Sequence, residues 1–197
     1  MESHLQNLKV CFIVERADYS LYTPYDQLKA LAFVLLASAS IENYVERLCS
    51  EIGTQGCDRI KRGQPSATGR ALLTWSVVRT SSREYPIHES DAAALMDIAD
   101  QALTSYKQSI KSTHGMRGKD LRQLVFPLGL RDNQLPQAMI LSLDALADKR
   151  DPASHIYVNR AKLMTEPIAE WDLVSTLMTH FTQLDKDLQN LVENYPV

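Results

Sequence analysis

The stretch Leu141-Ser-Leu-Asp-Ala-Leu-Ala-Asp-Lys-Arg-Asp-Pro-Ala-Ser-His155 decides how this chain is read. From Pro136 onward, Met139, Leu143 and Leu146 recur four and three residues apart, which is one buried stripe of a helix over Asn133 to Lys149. Arg150 takes the next place on that stripe. A guanidinium on a core-facing line needs a partner or a wet cleft, because burying it alone is costly. Asp151-Pro152 then carries a helix-start signature, Asp as N-cap and Pro at the first helical position, and predicts a break. Residues five apart in one unbroken helix point away from each other. A break at Asp151 would swing His155 back toward Arg150 and place it in the first turn of a new helix. There the positive dipole end disfavours imidazolium, and a neutral imidazole can serve as a general base.

Spacing alone is a weak signal, since Arg83-Glu-Tyr-Pro-Ile-His88 repeats it in what reads as a loop. Context separates the two pairs, because no helical stripe leads into Arg83.

A second helix supplies a candidate partner. Thr23-Pro24-Tyr25-Asp26 is a helix start, and the pattern predicts a helix to about Ile52 that stops at Gly53. One of its stripes reads Leu28, Leu31, Leu35, Ser38, Glu42, Val45, Cys49, Ile52, so two polar residues one turn apart interrupt an apolar line. A Glu on such a line wants a cation or hydrogen bonds. Glu42 is therefore a candidate to hold Arg150, with a loop cap or a helix-edge position as its other readings.

Elsewhere the pattern is helical throughout. Residues 4–16 suit a first helix, although Val10 to Val14 would also suit a strand. Thr54 to Gly69 reads as loop, Arg70 to Val78 as a short helix, and Ser81 to Glu89 as a second loop. Ser90 caps a helix through Lys111, and Lys119 to Leu128 forms a short one. Val158 to Glu166 reads as a connector. Thr165-Glu166-Pro167 opens a last helix in which Val174, Leu177, Phe181, Leu184, Leu188, Leu191 and Tyr195 form a continuous seam. The expected fold is an all-α bundle: one domain over residues 1–197, with its core at about 24–195.

The bulk numbers agree with a compact protein. The chain has 197 residues, 45% hydrophobic and 23% charged, with a formal charge of −3. That balance argues against a protein coating nucleic acid at random, yet leaves room for a local basic patch. Between Arg59 and Arg83 there are six basic residues and no acid, and between Gln101 and Lys162 ten basic residues face five acidic ones. Three scattered cysteines (Cys11, Cys49, Cys57) suit reduced thiols, and neither they nor the five dispersed histidines show metal-ligand spacing. The apolar run Ala30 to Ile41 is short for a membrane span, and Val10 to Val14 is short for a signal peptide. These features point to a cytoplasmic protein that does not engage a membrane.

Arg150-Asp-Pro-Ala-Ser-His155 after an amphipathic helix resembles the motif of HEPN domains, all-α ribonuclease and nucleic-acid-associated modules. Leu35-Leu-Ala-Ser-Ala-Ser-Ile-Glu-Asn-Tyr-Val-Glu-Arg-Leu48 is similar to the second helix of the RiboL-PSP-HEPN branch. Asp120-Leu-Arg-Gln-Leu-Val-Phe-Pro-Leu-Gly-Leu130 resembles that branch's segment ahead of the motif helix. Together these span most of residues 24–192. The sequence departs from the pattern at Asp151, where Asn is common, and at Ile156, where many relatives carry Gly.

The resemblance implies a metal-independent endoribonuclease, without cofactor, working as a two-fold symmetric homodimer whose protomers bring their motifs to a shared cleft. In it His155 is acid/base, Arg150 clamps the phosphate, Asp151 orients the pair and Glu42 supports it. Such an enzyme suits a toxin of a toxin–antitoxin pair or a phage or stress-defence effector, held in check by an antitoxin or other regulatory protein. The alternative is a non-catalytic HEPN-like dimer that docks a protein or a nucleic acid. A hydrolase built on the neighbours Ser154 and His155 has no third orienting group in the sequence.

Overall fold

The computed structural model describes residues 1–80, 92–155 and 166–193, with 80, 92–94 and 151–155 by their backbone alone. It is all-helical, with no strand among the described residues. The helices are α1 (Glu2–Phe12), α2 (Pro24–Lys61), α3 (Ala67–Thr80), α4 (Ala92–Ser112), α5 (Gly118–Val125), α6 (Gln137–His155) and α7 (Pro167–Glu193). Short 3-10 turns lie at Tyr19–Leu21, Phe126–Leu128 and Asp132–Gln134. The all-α expectation thus holds. The pair Arg83/His88, the Ser90 cap, the connector after Val158, Ile156 and Tyr195 lie outside the described residues.

The chain forms two compact units, and α2 and α7 each contribute to both. The first comprises residues 1–45, 115–119 and 136–182. The start of α2 follows its sequence. Asp26 accepts hydrogen bonds from the Thr23 backbone N (3.0 Å) and hydroxyl (2.9 Å), while its own N donates to Thr23 Oγ1 (3.2 Å). This is a reciprocal cap of the helix end. Arg16 Nη2 donates to both carboxylate oxygens, at 3.3 and 3.1 Å. These hydrogen bonds, the Thr23 backbone N–H foremost, hold the Asp26 carboxyl below its ordinary value although burial pushes the other way.

Inside this unit Phe33, Val34, Ala37, Ile41 and Val45 of α2, Met139, Leu143 and Leu146 of α6, and Trp171, Val174, Leu177 and Phe181 of α7 are all buried. Phe33 and Trp171 stand tilted at 6.3 Å, and Tyr44 meets Phe181 edge-on at 6.0 Å. Burying each such side chain contributes roughly 1.5–3 kcal/mol. An 18-residue stretch of α2 reaches a mean hydropathy of 1.4, enough by length and composition to cross a membrane. Part of that stretch, including Phe33, Val34, Ala37 and Ile41, is buried in the core. Leu28 belongs to no core: it is exposed, and the apolar face turns instead through Ala30 and Phe33.

The second unit comprises residues 46–114, 120–135 and 183–197. Here α2 departs from expectation by running on past Gly53 to Lys61. Gly53 is a packing residue rather than a stop, since a Cβ there would meet the Tyr106 ring at 3.0 Å. Gly56 and Gly69 do the same for the crossing of α2 and α3. A Cβ on Gly69 would lie 2.5 Å from the Gly56 carbonyl oxygen and 2.4 Å from Ile60 Cγ1. The loop read over Thr54 to Gly69 therefore shrinks to residues 62–66, between the two helices. Tyr106, fully buried, donates to the Leu124 carbonyl at 2.6 Å and packs edge-on against Trp75. Lys61 is ion-paired with Asp100.

Candidate functional site

The stripe that organises α6 is present as read: Met139, Leu143 and Leu146 are buried, and Arg150 follows them. Arg150 Nη1 donates to Glu42 Oε2 at 3.1 Å, with the two side chains 29% and 23% exposed. The contact joins residues 108 positions apart. Glu42 is thus the acid that meets Arg150, as its place on the α2 stripe suggested.

Glu42 has a second task. Its Oε1 accepts from the Gly115 backbone N at 2.7 Å. Gly115 has φ +88°, in the left-handed region, and a Cβ there would meet Arg150 Nη2 at 3.0 Å. The backbone conformation therefore favours glycine at this position, and a larger residue would also press on the end of the Arg150 side chain. The following residues are tied to α6 in turn. Gly118 N donates to Asp144 Oδ1 at 3.0 Å, and Arg117 Nη1 to Asp148 Oδ1 at 2.7 Å. One turn of chain is thereby fastened along the last half of α6.

On α6 itself Lys149 Nζ donates to both oxygens of Glu170, at 2.6 and 2.7 Å. Glu170 is 1% exposed and lies in the first turn of α7, where the helix dipole also favours a carboxylate. Asp144, Asp148, Lys149 and Arg150 therefore each fix α6 to a different neighbour within the unit. Sequence reading missed Gly115, Asp144, Asp148 and Glu170 as parts of this arrangement. A glycine two residues before Arg117, within a polar turn, was the one available signal.

Next to the ion pair lies a cavity of about 10 Å³ lined by Ser38, Ile41, Met116, Leu143, Leu146, Ala147 and Arg150. The buried Ser38 Oγ has no hydrogen-bond partner there. The space is close to the minimum for one water molecule.

The expected break at Asp151 is absent. The backbone of α6 continues through Pro152 and ends at His155. A proline inside a helix removes one backbone donor and crowds the preceding turn, but leaves the hydrogen bonds of neighbouring residues possible. The pair Asp-Pro suits a helix beginning and equally a tolerated interior proline near a helix end, so the local sequence does not separate the two. In a continuous helix, positions 150 and 155 are about 140° apart around the axis and about 7.5 Å apart along it. The structure thus brings Glu42 to Arg150. The side chains of Asp151 and His155 lie outside the described residues. Comparison with protein-family models, curated proteins and solved structures finds no match.

Proposed function

We propose that this chain is a metal-independent endoribonuclease whose reacting groups are Arg150 and His155. The observation that carries the reading is the held arginine. A guanidinium stands at the exit of a core stripe, fixed by Glu42, one turn from the end of the helix that also carries His155. Fixing the guanidinium before substrate arrives lowers the cost of ordering it on a phosphate.

RNA carries its own nucleophile. In the proposed reaction His155, neutral, takes the proton from a 2′-hydroxyl, and the oxygen attacks the adjacent phosphorus. Arg150 donates to the non-bridging oxygens as negative charge builds on them. The 5′-oxygen leaves with a proton, giving a 2′,3′-cyclic phosphate and a 5′-hydroxyl end. Because positions 150 and 155 diverge on one continuous helix, the arginine and histidine that act on one phosphate come from two copies across a two-fold homodimer. A ribonuclease of this kind suits a toxin or a phage or stress-defence effector restrained by a protein partner.

The test is cleavage of a mixed RNA in EDTA by wild type, Arg150→Ala and His155→Ala, with product ends analysed. The reading expects cyclic phosphate ends from the wild type and a loss of about 10²–10⁴ in rate for His155→Ala. Unchanged cleavage by His155→Ala would overturn it.

One observation favours a second reading, a non-catalytic dimeric module that binds a protein or nucleic acid. Glu42 neutralises the very charge that a phosphate would seek. RNA left intact by folded dimeric protein would select that reading.

A further inference from the structure

The second unit carries a groove of about 1010 Å³ that none of the chemistry above uses. Its wall on one side is α3, with Ala67, Arg70, Ala71, Thr74 and Trp75. On the other side is the turn holding Gly129, Arg131, Asn133 and Gln134. The groove exists because its floor lacks side chains. Gly129 turns the chain at φ +101°, and a Cβ there would sit 3.3 Å from Ala71 Cβ. Ala67 and Ala71 end at Cβ, so the hollow stays open above them.

Its charge is one-sided. Arg70 and Arg131 are both exposed, and among the described residues no carboxylate lines the groove. Asn133 and Gln134 bring side-chain amides, and Thr74 a hydroxyl already donating to the Arg70 carbonyl at 3.0 Å, which leaves its oxygen able to accept. Ala71, Trp75 and Leu191 supply apolar surface. The setting is basic too: from Arg59 to Arg79 the chain has five cations and no acid. Two guanidinium groups beside an apolar floor with amide donors and acceptors match one ligand chemistry, a phosphate attached to a flat heterocycle.

We propose that this groove binds nucleotidyl phosphate, with Arg70 and Arg131 on the phosphate and the base over the Ala71–Trp75 floor. Two sources share that chemistry, a free nucleotide and a single-stranded RNA. The site lies wholly within the second unit, and its assignment does not depend on RNA being cut.

Binding is measured with the full chain and a fluorescent 12-mer of mixed sequence in 2′-O-methyl RNA, which has no 2′-hydroxyl to attack and so cannot be consumed. The readouts are anisotropy and its salt dependence, for wild type, Arg131→Ala, Arg70→Ala/Arg131→Ala and Ala71→Leu, with each variant's helicity and melting checked first. Wild type is expected to bind. Arg131→Ala should lose about 5–10-fold and the double variant about 30-fold or more. The slope of log affinity against log salt should fall by about 0.7 for each arginine removed. Ala71→Leu, which leaves the charge and fills the hollow, should weaken binding without changing the slope. ATP that competes for the groove assigns it to free nucleotides; ATP that fails to compete assigns it to polynucleotide. No binding by wild type, or variants with unchanged affinity and slope, would overturn the proposal even if the protein cleaves RNA. Groove variants that lose binding in a protein that cuts nothing would uphold it and reject only the ribonuclease.

Discussion

Glu42 shows how much rests on one carboxylate: it holds a guanidinium and a backbone amide at the same time. Removing it leaves both donors to find other partners in a half-buried place. Glu42→Ala should therefore cost about 1–3 kcal/mol in urea unfolding, as for other hydrogen bonds to charged groups. A double-mutant cycle with Arg150→Ala should recover a coupling of about 0.5–3 kcal/mol, and a value of zero would mean the pair is ornamental. Ser38 offers the opposite sign. Its buried hydroxyl has no partner, so Ser38→Ala removes an unmet polar group and should leave the melting temperature unchanged or raise it. Asp26 sets a pH dependence. Its folded pKa is lowered, so its contribution is present above the ordinary carboxylate range and is lost as pH falls through the lower folded value. The stability gap between wild type and Asp26→Asn should be present at pH 6 and close as the pH drops below about 4.

At the scale of elements, the helix glycines explain where the sequence was readable and where it was not. The stripe of α6, the capped start of α2 and the seam of α7 rest on local periodicity and capping, which one chain displays. The length of α2 does not. Gly53 and Gly56 look like stop signals because glycine costs a helix about 1 kcal/mol against alanine. Their reason is the Tyr106 ring and the Gly69 backbone, residues remote in sequence that no local pattern announces. The Glu42–Arg150 contact was legible because two stripes each had one charged interruption. Glu170 was not, since nothing in its neighbourhood marks a partner, and Gly115 showed only as a glycine within a polar turn. Gly69→Ala tests the packing argument. It improves local helix propensity, yet must force Ile60 and the α2 backbone apart. A net loss of stability, of about 1–3 kcal/mol as in other overpacked contacts, is expected by thermal or urea unfolding. A gain would mean that the two helices part readily.

At the scale of the whole molecule, two compact units share α2 and α7, each helix supplying core residues to both. Melting one unit alone would leave half of each shared helix exposed and stripped of its tertiary packing, and helices of that length are marginal in water by themselves. The units are therefore expected to unfold together. Each has its own reporter. Trp171 is buried in the first, while Cys49 and Cys57 are buried in the second, where desolvation pushes their thiols up to about 12 and about 11. Such thiols react with alkylating agents only when opened, whereas Cys11 is exposed and should be modified in the native state. In a Trp75→Phe background, so that Trp171 alone fluoresces, the urea midpoint of Trp171 emission should coincide with the onset of Cys49 and Cys57 labelling. Labelling complete at a urea concentration where Trp171 emission is still native would show that the second unit opens alone. The shared helices would then be continuous in geometry but divisible in stability.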